Sequence, residues 1–412
     1  QSTWGKSVLY RSMAGSVILL RKVVGTPHFL GHGTRRSPPP NCFAFSHHRK
    51  RFVGSLRLQV NANSHNDQFS GDRLAVTTHI LNFISDNFLP LALIGGVALG
   101  FANPYLGCLA DKVHLSKFCT VGIFVISGLT LQNGEIKKVV KAWPVAFLGI
   151  FSILVFTPYF SKLVMLFSLQ PQDFVTGLAL FSCMPTTLSS GIALTQLAGG
   201  NTALAIAMTI ISNLLGIITI PFSISKFIAG GVGVFLPIKQ LLANLVLMLL
   251  IPLMVGKVFR ESFKGLETIV DRNKRTFSKI TAVFLSLVPW IQISRSRSLL
   301  LSVKPKASLV AIGLGVLLHV TFLAFNALII QIVAAVSGGR QSIFSEKENA
   351  YAFILVASQK TLPVLVAVVE QLFGTFGESG LLVLPCVAAH LSQIIIDSFV
   401  VNMVLRKYPL KH

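Results

Sequence analysis

The chain has 412 residues, of which 52% are hydrophobic and only 12% charged, with 36 Lys and Arg against 14 Asp and Glu. Soluble domains carry about 25% charged residues, so this composition excludes an ordinary soluble protein and indicates a polytopic membrane protein. The five cysteines have no CxxC spacing, which indicates neither a disulfide framework nor a zinc site.

The first segment of the chain is basic and lacks acidic residues. Residues 1–66 carry ten Lys and Arg and no Asp or Glu. A basic, Ser-rich leader of this kind predicts a disordered organellar transit peptide over residues 1–70. A secretory signal fits less well because Arg21 and Lys22 close the short apolar core. Nucleic-acid binding also uses basic patches, but this segment precedes a membrane domain, so we expect import and no nucleic-acid partner.

Apolar runs of membrane length follow from Phe88 onward. Each needs about 20 residues to cross a hydrocarbon core of about 30 Å. The predicted spans are 88–106, 115–132, 143–167, 174–198, 202–228, 235–258, 276–294, 307–335, 350–372 and 380–404. The charged stretch 257–279 is predicted to be a solvated surface linker.

Ten spans place both termini on one side of the membrane. The short loops of that side carry fifteen Lys and Arg, against nine on the opposite side. By the positive-inside rule both termini lie on the inner side, which in a plastid is the stroma.

The connection around 230–236 divides the ten spans into five and five. A repeat with an odd number of spans, inserted twice, enters the membrane in opposite directions, which produces an inverted repeat. We therefore predict an all-α fold of about ten transmembrane helices in two inverted five-helix repeats, 80–230 and 235–405. The two spans with polar interruptions occupy the fourth position of each repeat.

The fourth span contains FSCMPTTLSSGIALTQLAGGN at 181–201, and the ninth contains LVASQKTLPVLV at 355–366. In hydrocarbon a helix break survives only beside protein, water or a bound solute. The residues predicted to break the helices are Pro185, Gly191 and Pro363, with Pro363 kinking the ninth span. The residues predicted to bind an ion or a substrate are Thr186, Thr187, Ser189 and Ser190 in the first break and Ser358, Gln359, Lys360 and Thr361 in the second. Simple helix packing is the alternative, because Ser, Thr and Gly are common at helix contacts in membranes.

Lys360 is an ionisable residue within a span, which costs at least about 2.5–3.5 kcal/mol and indicates function. Its predicted charge partner is Asp397 in the tenth span, with Gln393 and His390 one and two turns earlier on nearly the same helical face. A structural ion pair is the alternative to a substrate or proton role. Three further polar residues at depth are expected to make interhelical hydrogen bonds: Asn213, His319 and Asn326.

The stretch PTTLSSGIALTQLAGGNTALAIAMT at 185–209, with these spans and this leader, resembles the bile acid:sodium symporter (BASS) family of secondary transporters. The matching positions are Leu197, Ala198, Gly200, Asn201, Ala203, Leu204 and Thr209. SQKTLP and PCVAAHLSQIIID resemble the branch that contains solute carrier family ten, member seven. The leader is similar to those of the plant plastid sodium/metabolite cotransporters.

The resemblance implies a panel domain and a core domain, the latter with two discontinuous helices that cross near midmembrane beside the sodium and substrate sites. It implies Na⁺ ligands at Ser189 or Ser190, Thr209 and Gln359. The acidic residue that the family places four positions before the glutamine falls on Leu355, and Lys360 adds a positive charge beside it. We expect the lysine to replace the coupling ion or to pair with an anionic substrate.

These features predict a secondary transporter that moves a small organic anion across the plastid envelope, with Na⁺ as the coupling ion and no other cofactor. A primary pump is not indicated, since no nucleotide-binding GxxxxGK[ST] loop is present. A regulatory membrane protein that kept the fold and lost ion coupling is the alternative. An enzyme is not indicated, because His390 and Asp397 accompany no nucleophile motif. The oligomeric state and the substrate's identity are left open.

Overall fold

The computed structural model describes residues 84–85, 87–131, 140–230, 233–263, 265–372 and 374–407. This part of the chain is helical and contains no β-strand. Its helices are α1 Phe88–Ala102, α2 Pro104–Lys112, α3 Leu115–Thr130, α4 Trp143–Val164, α5 Asp173–Ser182, α6 Ser190–Leu197, α7 Thr202–Ala229, α8 Ile238–Ser262, α9 Leu266–Arg272, α10 Lys274–Arg295, α11 Arg297–Ser302, α12 Pro305–Val336, α13 Lys347–Ser358, α14 Leu362–Gln371 and α15 Ser379–Lys407. The predicted transit peptide, 1–70, lies outside the described residues.

Seven of these helical segments are long and apolar enough to cross a membrane: α4, α7, α8, α10, α12, the interrupted α13–α14 and α15. The pair α1 and α2, bent by 100° at its break, makes an eighth if it is one span. The predicted spans 115–132 and 174–198 coincide with shorter apolar helices, α3 and the interrupted α5–α6. The membrane class is therefore confirmed, with seven spans of sufficient length in the described residues.

The segment 257–279 is exposed over most of its described residues, as its charges predict, but it is helical and not an open linker. Helix α8 continues to Ser262, and α9 and α10 take up most of the remainder. The Arg260 guanidinium is buried and donates to the Leu129 carbonyl oxygen at 2.8 Å, the Asp271 carboxylate at 2.9 Å and the Glu267 carboxylate at 3.2 Å. The acidic residues of this segment thus fold it back onto the end of α8, where they neutralise a buried cation.

Helices α1, α3, α8 and α10 pack on one another, with α3 between α8 and α10. The crossing of α3 and α8 depends on two glycines. A Cβ atom on Gly128 would lie 2.0 Å from the Leu253 carbonyl oxygen, and one on Gly256 would lie 2.1 Å from the Val125 carbonyl oxygen. Small residues let membrane helices approach to backbone contact, so neither position accepts a larger side chain without separating the helices.

The interrupted α13–α14 is the most enclosed of the long segments. In its most apolar 18-residue window 94% of the residues are buried, against 28% for α8 and for α12. Helix α13 packs against α6, α7 and α12, and α14 packs against α15. Polar groups at the interruption are therefore surrounded by protein, the condition under which a helix break is tolerated at membrane depth.

Candidate functional site

The two interrupted helices contact each other at their breaks. Helix α5 ends at Ser182 and α6 begins at Ser190, while α13 ends at Ser358 and α14 begins at Leu362. The backbone N–H of Thr361 donates to the carbonyl oxygen of Pro185 at 3.0 Å, which joins one break directly to the other. The structure thus brings together two stretches that are about 170 residues apart in sequence.

Pro363 does not kink a continuous helix, contrary to the prediction. It stands in the first turn of α14, where a helix has no use for the missing N–H. The interruption precedes it, at residues 359–361, and the backbone of Gln359 and Thr361 is extended, with ψ of 150° and 125°. Pro363 therefore starts the second half-helix instead of bending a single helix.

Gln359 is the centre of the hydrogen bonds between the two breaks. Its carbonyl Oε1 accepts from Thr187 Oγ1 at 2.6 Å and from Ser190 Oγ at 2.7 Å. Its amide Nε2 donates to Asp397 Oδ2 on α15 at 2.6 Å. Gly191 allows this approach, since its N–H donates to Thr187 Oγ1 at 3.2 Å and a Cβ there would lie 3.4 Å from Gln359 Oε1.

Asp397 pairs with a histidine and not with Lys360. Its Oδ1 lies 2.8 Å from His319 Nε2 on α12, and its Oδ2 accepts from Gln359. The predicted pairing of Asp397 with Lys360 is therefore wrong. The physical reason is the extended backbone at residues 359–361, because successive side chains of an extended chain point to opposite sides. Gln359 reaches α15, and Lys360 points away from it.

The Lys360 ammonium is buried on the other side of the break. Its Nζ donates to Thr157 Oγ1 at 2.6 Å, to the Met184 carbonyl oxygen at 2.8 Å and to the Ile153 carbonyl oxygen at 3.3 Å. The ring of Phe322 lies 5.6 Å away. These acceptors come from α4 and from the first break, so Lys360 holds three elements together.

Gln393 and His390 contact the backbone of Lys360 and not its charge. Gln393 Oε1 accepts from the Lys360 N–H at 3.0 Å, and Gln393 Nε2 donates to the Lys360 carbonyl oxygen at 2.8 Å. His390 Nδ1 lies 3.3 Å from the same carbonyl oxygen. Helix α15 therefore satisfies the backbone groups that the interruption leaves without helical partners.

Two oxygens beside the first break have no hydrogen-bond partner. The Asn213 amide donates to the Thr186 carbonyl oxygen at 3.0 Å and to the Thr209 carbonyl oxygen at 2.8 Å, which attaches α7 to the break. Thr209 Oγ1 and Asn213 Oδ1 are buried and unpaired. Unpaired buried oxygens are rare in folded proteins, and oxygen ligands are what Na⁺ requires. Of the predicted Na⁺ ligands, Thr209 thus has a hydroxyl oxygen free to coordinate an ion.

The other predicted site residues are distributed around the contact. Thr186 Oγ1 donates to the Val356 carbonyl oxygen at 2.5 Å, which ties the first break to α13. Ser358 faces away from Gln359, because its Oγ bonds to Phe322 and Asn326 of α12. Ser189 is exposed, so the structure selects Ser190 over Ser189 as the hydroxyl that reaches Gln359. Leu355 is buried in an apolar cluster with Leu194, Ala198, Tyr351 and Val401.

Sequence reasoning missed the contribution of α4 to this site. Thr157 and Ser152 are buried, and Ser152 Oγ donates to Asn326 Oδ1 at 2.5 Å. The signal was present in SILVFTPYF, where a hydroxyl residue precedes a proline inside a predicted span. His319 and Asn326 were expected to make interhelical hydrogen bonds, and both do so.

The chain matches known transporters over most of its length. Residues 86–406 match the model of the SBF-like CPA transporter family. The protein named "Probable sodium/metabolite cotransporter BASS4, chloroplastic" of Arabidopsis thaliana is 63% identical over 338 residues, which cover 82% of this chain and 77% of the relative. The protein of the same name from Oryza sativa subsp. japonica is 59% identical over 78% of this chain and 76% of its own length.

A more distant relative lies outside plants. Sodium/bile acid cotransporter 7-B of Xenopus laevis is 24% identical over 298 residues, which cover 72% of this chain and 83% of the relative. These matches confirm the resemblance that the 185–209 motif indicates, and the relatives are cotransporters and not enzymes. The chain therefore belongs to the SBF-like CPA transporter family.

Proposed function

We propose that this protein is a secondary transporter that couples Na⁺ entry to the movement of a small organic anion across the plastid envelope. The observation that carries the proposal is the contact between the two helix breaks through Gln359, Thr187 and Ser190. Transporters place their substrate and ion sites where discontinuous helices meet near midmembrane. The names of the plant relatives, sodium/metabolite cotransporters, support Na⁺ as the coupling ion, and the regulatory alternative is not favoured.

The proposed architecture is ten membrane-crossing segments in two inverted repeats, 80–230 and 235–405. It counts the bent pair α1–α2 and the shorter α3 and α5–α6 as spans beside the seven long ones. The interrupted segments α5–α6 and α13–α14 are then the fourth of each repeat. Their direct backbone contact, from Thr361 to Pro185, supports this assignment.

The proposed Na⁺ site lies beside the first break. Thr209 Oγ1 and Asn213 Oδ1 supply unpaired oxygens there, and the Thr187 and Ser190 hydroxyls complete the polar surface of the break. Leu355 provides no acidic ligand, so the negative charge nearest to the crossing comes from Asp397 through Gln359. We propose that Asp397 replaces the acidic residue that the family resemblance places at position 355.

The proposed substrate is a small organic anion. The relatives are named for metabolites and for bile acid, and the chain's positive charge beyond its leader agrees with an anionic cargo. Lys360 does not bind that anion in this arrangement, because its three N–H groups already have acceptors. Alternating access would come from movement of α4–α7 and α12–α15 against α1, α3, α8 and α10.

The proposed location is the plastid envelope, with both termini in the stroma. The names of the plant relatives support a plastid, and the excess of Lys and Arg in the loops on the side of the termini supports the orientation. Digestion of intact isolated plastids with a protease that passes the outer envelope membrane but not the inner one tests it. Epitopes at both termini of the mature protein should be protected, and cleavage of either one would contradict the orientation.

Uptake by purified protein in liposomes tests the transport proposal. Radiolabelled pyruvate, other carboxylates and sulfonated or steroidal anions are offered with an inward Na⁺ gradient, and N-methylglucamine replaces Na⁺ in the control. Na⁺-driven accumulation of one of these anions is the expected result. Uptake whose rate is independent of the Na⁺ gradient but depends on a pH gradient would overturn Na⁺ coupling. No uptake of any solute under any gradient would favour the regulatory alternative.

A further inference from the structure

The surroundings of Lys360 consist of oxygen acceptors without a carboxylate. Every hydrogen bond that the described structure gives its Nζ ends on Ile153 O, Thr157 Oγ1 or Met184 O, at 2.6–3.3 Å. We call these three oxygens the oxygen cage. A buried lysine is ordinarily paired with an acidic residue, but Asp397, the residue predicted to pair with Lys360, bonds to His319 and Gln359 instead.

The local sequence leaves these oxygens free for a cation. Residues Ser152–Phe156 of α4 form a π-helical turn, so the Thr157 N–H bonds back to the Ser152 carbonyl. In a π-helical turn the Ile153 carbonyl would accept from the N–H five residues later, but that residue is Pro158, which has no N–H. The Ile153 carbonyl is therefore left without a backbone donor. π-helical turns inside α-helices are frequent at functional sites.

The first break frees the second carbonyl of the cage. Helix α5 ends at Ser182, so Met184 lies within the non-helical stretch, and no following helical N–H covers its carbonyl oxygen. The hydroxyl of Thr157 completes the set. Two helix irregularities from different parts of the chain thus direct three oxygens to one point.

The geometry matches the charged form of Lys360. The Thr157 hydroxyl has carbonyl oxygens to donate to, Ile153 at 2.9 Å and Ser152 at 3.1 Å, which leaves Thr157 Oγ1 able to accept from Lys360. All three neighbours of Nζ are then acceptors. An ammonium has three N–H donors to match them, whereas a neutral amine has only two. The face of the Phe322 ring, 5.6 Å from Nζ, adds a further favourable contact for a cation.

We propose that Lys360 is a built-in cation that permanently occupies a monovalent-cation site formed by Ile153, Thr157 and Met184. Unwound backbone carbonyls and hydroxyls are the ligands with which transporters hold Na⁺, and carbonyl oxygens likewise replace the hydration shell of K⁺ in channels. The proposal rests on the proposed function, since it concerns the helix crossing of a cation-coupled transporter. It implies that one positive charge at the crossing never dissociates, so any coupling ion must bind elsewhere, as at Thr209.

Removing the Lys360 ammonium from the oxygen cage tests this proposal. Lys360→Ala removes the ammonium and leaves space, whereas Lys360→Met fills the same space with an apolar chain of similar length and serves as the matched control. The thermal unfolding midpoint of the purified protein in detergent is measured in choline chloride and then in NaCl, KCl and NH₄Cl of equal ionic strength. Subtracting the response of the wild type removes the effect of any cation site that both proteins share.

The Ala variant should gain a cation response that the other two proteins lack. We expect at least one of Na⁺, K⁺ and NH₄⁺ to raise its midpoint by about 2 °C or more beyond the wild-type response, as ligand linkage requires. Recovery of folded Lys360→Ala only in the presence of one of these cations would support the proposal equally.

Two results would overturn it. One is a folded Ala variant whose cation response equals that of the wild type or of Lys360→Met. The other is an Ala variant that fails to fold in every salt, since a cage that needs only a cation would accept ammonium from solution. The readout is binding and not transport, so absence of anion uptake by the wild type would overturn the proposed function without deciding this test.

Discussion

Gln359 and Asp397 are joined by a hydrogen bond of 2.6 Å from Nε2 to Oδ2, which links the second helix break to α15. A carboxylate only accepts hydrogen bonds, so the Gln359 amide must turn its NH₂ group, and not its oxygen, toward Asp397. The amide oxygen must then face the first break, where Thr187 and Ser190 donate to it. Asp397 thus orients the group that connects the two half-helices.

Replacing Gln359 with leucine should abolish transport and lower stability. The similar volume keeps the packing, but the donors of Thr187 and Ser190 and one oxygen of Asp397 lose their partner. Each unsatisfied buried group costs about 1–3 kcal/mol. Anion uptake and the thermal midpoint measure the two effects. Gln371→Leu, at the end of the same segment, is the control and should retain uptake; equal loss in both variants would contradict a special role for Gln359.

Ser190 and Ser189 offer a test of the register of the first break. Ser190 Oγ donates to Gln359 Oε1 at 2.7 Å, whereas Ser189 is exposed. Ser190→Ala removes a partly buried hydrogen bond worth about 1 kcal/mol, and we expect uptake to fall roughly fivefold to tenfold. Ser189→Ala should leave uptake within twofold of the wild type. The measurement is the rate of anion uptake as a function of Na⁺ concentration. A larger loss of uptake in Ser189→Ala than in Ser190→Ala would show that Ser189, and not Ser190, is the functional hydroxyl.

His319 and Asp397 should behave as one energetic unit. Removing one member of a buried hydrogen-bonded pair costs about 1–3 kcal/mol, because the other is left without its partner, whereas replacing both with apolar residues costs less. We therefore expect His319→Leu and Asp397→Leu each to lower the thermal midpoint more than the double variant does. A double-mutant cycle of unfolding midpoints measures this coupling. Additive single effects would show that the 2.8 Å contact contributes no coupling.

The positions of the two breaks were predictable from the sequence, and the partners of their side chains were not. Proline, glycine and hydroxyl residues within apolar runs marked residues 185–191 and 358–363, because such runs otherwise form regular helices. The direction of each side chain depends on the backbone between half-helices. Counting along helical faces paired Lys360 with Asp397, but the chain is extended at Gln359 and Thr361, and this reverses the side to which Lys360 points.

The part of α4 in the site was hidden for a related reason. Its contribution comes from a π-helical turn at Ser152–Phe156, which shifts the backbone bonding by one residue. Hydropathy and span counting detect the length of a helix and are insensitive to such a shift. The sequence places Thr157 before Pro158, but this alone does not identify the turn. The turn becomes recognisable once Lys360 is known to bind the Ile153 carbonyl oxygen that the turn leaves free.

Gly191 tests how closely the two breaks must approach. A Cβ at this position would lie 3.3 Å from Thr187 Oγ1 and 3.4 Å from Gln359 Oε1, close enough to displace the Thr187 hydroxyl by a few tenths of an ångström. Misplacement of about 1 Å costs up to about 100-fold in rates that depend on positioning, so we expect Gly191→Ala to lower maximal uptake roughly threefold to tenfold with little loss of stability.

Gly313 in α12 is the matched control for Gly191→Ala, because a Cβ there meets no atom within 4 Å. Alanine is favoured over glycine within a helix by about 0.5–1 kcal/mol, so Gly313→Ala should keep full uptake and unfold at the same or a higher temperature. Uptake kinetics of the two variants decide the matter. If Gly191→Ala transports as fast as Gly313→Ala, the contact between Thr187 and Gln359 tolerates expansion, and the break need not be held as tightly as the structure shows.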